Sequence, residues 1–328
     1  MKIALTGATG HLGSALLQET GKRNMAVKVL ARNINTASLS DLPVEIIKGD
    51  LLDPGSLRNL MQDCDTLIHS AAMISVNGDP KGLVHQTNVE GTRLVMEAAL
   101  QAGVKRCVHI SSIHAYRQLP PSEVLDEQRN HVDDTAFAYD RSKFAGQQIA
   151  LAANKQGMEV IVVNPTSIIG PYDFKPSLMG QVLIDLYKGR LPFIFNGGFD
   201  FCDCRDVAGA VLNATAMGNP GETYLLSGKW YSLKQLVQLL SKASSKKIRV
   251  MALPPLVAKA GLPFVKLLGA LQGKEPLYTN EALEALFNGN RFISSYKARQ
   301  ALNYTTRPLE ETLYDTIEWF KNKSYLVP

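Results

Sequence analysis

Ile3-Ala4-Leu5-Thr6-Gly7-Ala8-Thr9-Gly10-His11-Leu12-Gly13 opens the chain with three apolar residues, a glycine-punctuated turn and the start of an amphipathic helical pattern. An extended apolar run delivers the backbone to a tight turn. Glycines permit that turn, let the main chain approach a pyrophosphate and let the next helix pack close to a sheet. The helix start then offers N–H groups and the positive end of its dipole to an anion. A lone glycine triplet would be weak, since a plain strand-to-helix turn also explains it. Strand, loop and helix in this order read as a dinucleotide phosphate loop, with Gly7, Thr9, Gly10, His11 and Leu12 as its candidate contacts.

Outward from this loop, Ile3 to Leu5, Val27 to Leu30, Val44 to Ile47, Thr66 to His69, Cys107 to Ile110 and Val160 to Val163 form six short apolar runs. Helical patterns such as Leu12 to Thr20 and Val89 to Gln101 separate them. Strands covered on both faces read this way, and right-handed crossovers turn the repeat into an α/β fold, a Rossmann-type doubly wound parallel sheet. After Gly170-Pro171 the alternation stops and proline, glycine and aromatic residues accumulate. A helix near Val207 to Ala216 and a strand at Thr223 to Leu226 should return to the sheet. The expected division is an NADP-binding Rossmann domain over 1–170, with returns near 200–228, and a smaller, discontinuous substrate-binding domain over 171–199 and 229–328.

Composition narrows the function classes. The 35 basic and 30 acidic residues are interspersed, so the net charge of +5 forms no stripe that would mark a nucleic-acid groove. Cys64, Cys107, Cys202 and Cys204 are too few and too scattered for a disulfide framework, which suits a reducing compartment. Cys202 and Cys204 lack a second ligand pair, so they read as small residues in one strand, and none of the six histidines has metal-ligand spacing. No metal is expected. The apolar run at the N-terminus is too short for a signal peptide or span, and a cytoplasmic location is expected. From Leu253 to Leu271 the chain is apolar but interrupted by Lys259, Lys266 and Pro263, which predicts a helix pair without stable membrane insertion. A surface-lying amphipathic helix, with Leu267, Leu268 and Leu271 on one face, is the alternative there.

The second strand ends in Leu30-Ala31-Arg32-Asn33, with no carboxylate where an NAD ribose would need one. Arg32 can instead face the 2′-phosphate of NADP, so NADPH is the expected cofactor and NAD the less favoured one; an ordinary exposed arginine is the competing reading. Asp50 and Leu51 after the third strand, and Ser70, Ala71 and Ala72 after the fourth, fall where adenine and ribose should pass.

Tyr139-Asp140-Arg141-Ser142-Lys143 heads another helical pattern, and a spacing of four puts Tyr139 and Lys143 on one face. A cation beside the phenol should lower its pKa and make it a competent acid or base. His109-Ile110-Ser111-Ser112 places two hydroxyls at the carboxyl edge of the sheet, and one of them can bond a substrate oxygen. Of the histidines only His114 lies where it can touch substrate.

Taken together these segments resemble the extended short-chain dehydrogenase/reductases of the NAD-dependent epimerase/dehydratase superfamily, close to dihydroflavonol-4-reductase-like proteins and the hopanoid-associated sugar epimerase group. The likeness runs through Thr6 to Gly13, Asp50-Leu51, Asn88 to Thr92, Ser111-Ser112, Tyr139 to Lys143, Asn164 to Pro171 and Arg205 to Ala208, nearly the whole chain. It implies that Ser112, Tyr139 and Lys143 are catalytic, that Lys143 also holds the nicotinamide ribose, and that Pro165 to Ile168, with Ser167, line the nicotinamide. It implies as well that Asn88 supports the site, although helix capping is an equal reading of that residue, and that the chain forms a homodimer. Nucleotide-sugar members usually carry an Asn and an Arg that hold the diphosphate, where this chain has Ser167 and Phe199. That departure favours a less charged carbonyl substrate in a pocket to which Tyr116, Tyr172, Phe174, Phe195 and Phe199 could contribute. The expected activity is NADP(H)-dependent reduction of an aldehyde or ketone, with Tyr139 as general acid/base. The alternatives are a nucleotide-sugar epimerase or dehydratase with transient cofactor reduction, and a non-catalytic NADP-sensing protein.

Overall fold

The computed structural model describes residues 1–40, 42–255 and 279–326. Its first half runs β1 (Lys2–Thr6), α1 (His11–Lys22), β2 (Ala26–Ala31), β3 (Glu45–Lys48), α2 (Pro54–Met61), β4 (Thr66–His69), α3 (Leu83–His85), a π-helical turn over Gln86–Glu90, α4 (Gly91–Gln101), β5 (Arg106–Ile110), α5 (Ala138–Ala152) and β6 (Glu159–Pro165). The second half runs β7 (Ser167–Ile169), α6 (Leu178–Tyr187), β8 (Phe193–Phe195), β9 (Gly198–Asp203), α7 (Cys204–Met217), β10 (Thr223–Leu226), β11 (Lys229–Ser232), α8 (Leu233–Ala243), β12 (Met251–Leu253), α9 (Asn280–Asn288), α10 (Tyr296–Leu302) and α11 (Leu309–Asn322).

Seven strands pair in parallel in the order β10-β6-β5-β4-β1-β2-β3. Side chains of β1 alternate between two layers, as a strand's period of two requires. Ile3 and Leu5 pack with Leu16 of α1, Val211 of α7 and Leu302 of α10, whereas Ala4 packs with Leu57 of α2, Val95 of α4 and Ala150 of α5. Because the chain proceeds from β1 one way to β3 and then returns to β4 and onward to β6, the order reverses between β1 and β4. That switch point opens a crevice at the carboxyl ends of the strands, where open α/β sheets bind ligands.

Beyond this Rossmann-type sheet, β11, β9 and β7 form a three-stranded sheet and β12 pairs with β8. A further core gathers Leu183 of α6, Leu236 and Leu240 of α8, Leu286 of α9, and Leu313 and Phe320 of α11. The expected return of the chain to the main sheet is present as α7 and β10.

Three local expectations need correction. Cys204 is not in a strand with Cys202: β9 ends at Asp203, whose carboxylate accepts from the Arg205 N–H (2.7 Å) and starts α7 at Cys204. Val89 belongs to the π-helical turn, and α4 starts at Gly91. Leu253 ends β12, and the rest of the expected helix pair falls largely on 256–278, outside the described residues. Among the described residues no helix is long and apolar enough to cross a membrane.

Candidate active site

Two glycines shape the loop after β1. Gly7 takes φ +76°, and a Cβ there would lie 2.6 Å from the Ala71 nitrogen, so the loop rests directly on the segment that follows β4. A Cβ on Gly13 would come within 2.0 Å of the Gly7 carbonyl oxygen, so α1 can start this close only with glycine. No side chain caps α1 at Gly10 and its first turn carries no acidic residue, which leaves its leading N–H groups available to an anion. This uncapped, glycine-walled cradle fits the diphosphate of a dinucleotide. The His11 ring Nε2 lies 3.0 Å from the Pro171 carbonyl, so its side chain ties the loop to the segment after β7.

On α5, Tyr139 and Lys143 stand one turn apart at the carboxyl edge of β5. Lys143 is buried, and its ammonium donates to the Ile110 carbonyl (2.8 Å). Burial lowers its pKa to about 8. The expected fall of the tyrosine pKa does not occur. Burial pushes the phenol up to about 12, the Ser112 hydrogen bond offsets only part of that rise, and neighbouring Asp140 adds to it. The Lys143 ammonium is committed to Ile110 instead.

Ser112 caps the turn that follows it, its hydroxyl accepting from the His114 N–H (3.2 Å), while the Ser111 hydroxyl turns to the Lys143 carbonyl (3.4 Å). Asn88 does not cap a helix. From the π-helical turn its Oδ1 accepts from the Met73 N–H (2.7 Å), and its Nδ2 donates to the Met73 carbonyl (2.9 Å) and the Ser142 hydroxyl (2.9 Å). Ser142 in turn donates to the Tyr139 carbonyl (2.7 Å), so Asn88 ties α5 to the segment after β4.

One cavity of about 910 Å³ runs from Gly7, Gly10, His11 and Leu12 past Ser70, Ala72, Ser112, Tyr139, Lys143, Pro165, Ser167 and Ile168. Thr9, Ala71 and Asn88 adjoin it without lining it. Arg32, Asp50 and Leu51 lie outside, beyond the ends of β2 and β3. Arg32 is exposed, Asp50 accepts from the Leu52 N–H (2.9 Å), and Leu51 packs on Gly91. Of the aromatic residues expected around a pocket, Tyr116 and Phe199 line it, but Tyr172, Phe174 and Phe195 do not. Phe174 is drawn away by edge-on packing against Trp319.

Residues 3–227 match the model of the NAD-dependent epimerase/dehydratase family. The chain belongs to that family. It is similar, at 30% identity over 332 residues, to sterol demethylase protein B of Methylococcus capsulatus, covering 99% of this chain and 100% of the relative. A Synechocystis protein whose name assigns it provisionally as a dihydroflavonol 4-reductase is 29% identical, covering 98% and 95%. The crystal structure of gox2253 superposes with a TM-score of 0.85 at 29% identity, covering 100% and 99%. Members of the epimerase/dehydratase family are NAD(P)-dependent enzymes that act on small molecules.

Two cavity residues of this family member carry no signal in sequence. Asp140, next to Tyr139, bonds the His114 Nδ1 (2.9 Å), and the His114 ring stands edge-on to Tyr139 with centroids 5.7 Å apart. Asp200 of β9 is buried in the wall, accepting from the Thr166 hydroxyl (2.7 Å) and the Gly228 N–H (2.8 Å), and burial raises its pKa to about 6. The partner of His114 lies 26 residues downstream, so only the fold brings the two together.

Proposed function

We propose that the chain is an NADP(H)-dependent oxidoreductase that interconverts a carbonyl and an alcohol, working chiefly as an aldehyde or ketone reductase. The observation that carries this reading is the grouping of Ser112, Tyr139 and Lys143 on one cavity wall, with the glycine cradle at the other end. With the cofactor's diphosphate in that cradle, its nicotinamide would supply the hydride. Ser112 and Tyr139 hold the substrate oxygen, and the Tyr139 hydroxyl gives up its proton as negative charge develops there. The Lys143 ammonium then faces a forming phenolate, the only stage at which its charge aids the phenol, and it also holds the nicotinamide ribose. Pro165 to Ile168 wall the nicotinamide, and Asn88 keeps α5 in place.

Arg32, exposed and without a partner among the described residues, supports NADP over NAD, because its guanidinium can pair with a 2′-phosphate. Ser167 and Phe199 in the wall, together with the reductase name of the Synechocystis relative, favour net reduction over sugar epimerisation. The test is Tyr139→Phe, which keeps the ring and removes the transferable proton. NADPH affinity should stay near wild type while turnover falls by roughly 10² to 10⁴ on a carbonyl found by screening NADPH consumption. Near-normal turnover would remove Tyr139 from the mechanism.

A further inference from the structure

Past the catalytic wall, the cavity changes character. Helix α6 turns Leu178, Val182 and Leu186 toward it at i, i+4 and i+8, a single helical face, and Ile194, Phe199 and Leu286 also line this part. At the rim Ile74 and Leu178 are 62% and 47% exposed, large apolar side chains left in water beside a cavity that would cover them.

The charged groups point the same way. Among the described lining residues the cations are Lys143 and Arg117, against the carboxyl groups of Asp133, Asp140, Asp200, Glu281 and Glu284. Lys143 is bonded to Ile110, and Arg117 is ion-paired with Asp133. A diphosphate entering here would find, among the described lining residues, no uncommitted cation and several carboxylates, and a desolvated anion without a partner is strongly disfavoured.

We infer that the substrate half of this cavity takes a bulky, uncharged, predominantly apolar carbonyl compound and excludes nucleoside diphosphate sugars. The inference rests on the oxidoreductase reading above. The reacting oxygen is held at Ser112 and Tyr139 while the hydrocarbon body lies along α6 toward α9. His114, oriented by Asp140, is the polar group next to the reaction point and selects where on that body the carbonyl sits.

The test is a homologous series of 2-alkanones from four to twelve carbons, with UDP-glucose as the charged comparison. Turnover with NADPH is followed by absorbance, and binding to the NADP⁺-loaded protein separately by calorimetry. Each buried methylene is expected to raise affinity and kcat/KM about fourfold until the cavity is filled. UDP-glucose should neither bind nor compete. Val182→Asp should weaken 2-dodecanone binding at least roughly 10-fold with NADPH affinity unchanged, and Val182→Ala, which only removes methyl groups, should weaken it less. A flat chain-length profile, or UDP-glucose binding tighter than 2-dodecanone, would overturn the inference. Steep binding of ketones without turnover would keep the apolar class and sink the oxidoreductase reading. Reduction of small polar aldehydes with no chain-length dependence would do the reverse.

Discussion

Gly13→Ala tests the geometry on which the cofactor reading depends. The added Cβ would lie 2.0 Å from the Gly7 carbonyl oxygen and 2.8 Å from the Ala8 Cα, both backbone atoms that no rotamer change can move aside. Relief requires α1 to back away from the loop by about an ångström, overpacking that typically costs 1–3 kcal/mol of stability. The same shift misaligns the leading N–H groups of α1. Losing about 1.5–3 kcal/mol of charge-assisted bonding to a diphosphate weakens NADPH roughly 10- to 150-fold. Gly10→Ala separates the two effects. Gly10 has extended backbone (φ −81°, ψ 171°), and its Cβ would meet only the Gly7 oxygen, at 3.4 Å. Stability should therefore change by about 0.5 kcal/mol or less, so any loss of NADPH affinity reports a clash with the ligand. Urea unfolding supplies the stability and fluorescence titration of NADPH the affinity. Wild-type values of both in Gly13→Ala would refute the argument.

Arg32→Ala should erase a preference for NADPH over NADH of roughly 10- to 150-fold, the equivalent of one charge-assisted contact; titration of both cofactors checks it, and equal wild-type affinities would count against NADP. Lys143→Met should lower both NADPH affinity and turnover, measured by titration and steady-state rates, whereas Tyr139→Phe lowers turnover alone. Asp200 has a folded pKa of about 6, above its usual 3.8, so the folded state binds the extra proton and the contribution of Asp200 to stability falls as pH rises from about 4 through 6. Asp200→Asn keeps the acceptor for Thr166 and Gly228 without ionising. The variant should gain on wild type by up to about 3 kcal/mol between pH 4 and pH 7 in urea unfolding, and a pH-independent difference would refute the assignment.

Much of the fold was legible because its signals are local. Thr66–His69 and Thr223–Leu226 coincide with the expected strands, since buried parallel strands are short apolar runs bounded by turns. The glycine loop was legible for the same reason: a turn, a close approach and a helix start are adjacent in sequence. Cys204 was misread because Cys-x-Cys has the alternation of a strand, and only the Asp203 side chain, turned back onto the Arg205 N–H, ends β9 there. Leu51 and Phe174 matched the expected patterns too, but packing against Gly91 and Trp319 places them elsewhere.

The placing of Tyr139 and Lys143 together was legible, and the electrostatics around them were not. A spacing of four put Tyr139 and Lys143 on one helical face, yet the sign of the phenol's shift depends on two facts no spacing carries: how deeply the ring is enclosed, and where the ammonium points. Lys143 donates to a carbonyl 33 residues away, at the end of β5, so its charge serves the sheet edge first. A phenol held near 12 beside a lysine lowered to about 8 is a pair at rest, with the proton firmly on the oxygen. Such a pair suits donation to a forming alkoxide better than abstraction from an alcohol, because the alkoxide is the stronger base and the phenolate left behind is the charge that Lys143 can then stabilise. The resting pair is thus in the protonation state from which the proposed reduction starts, while the net direction follows from the cofactor's redox state, because the same groups must serve the reverse reaction.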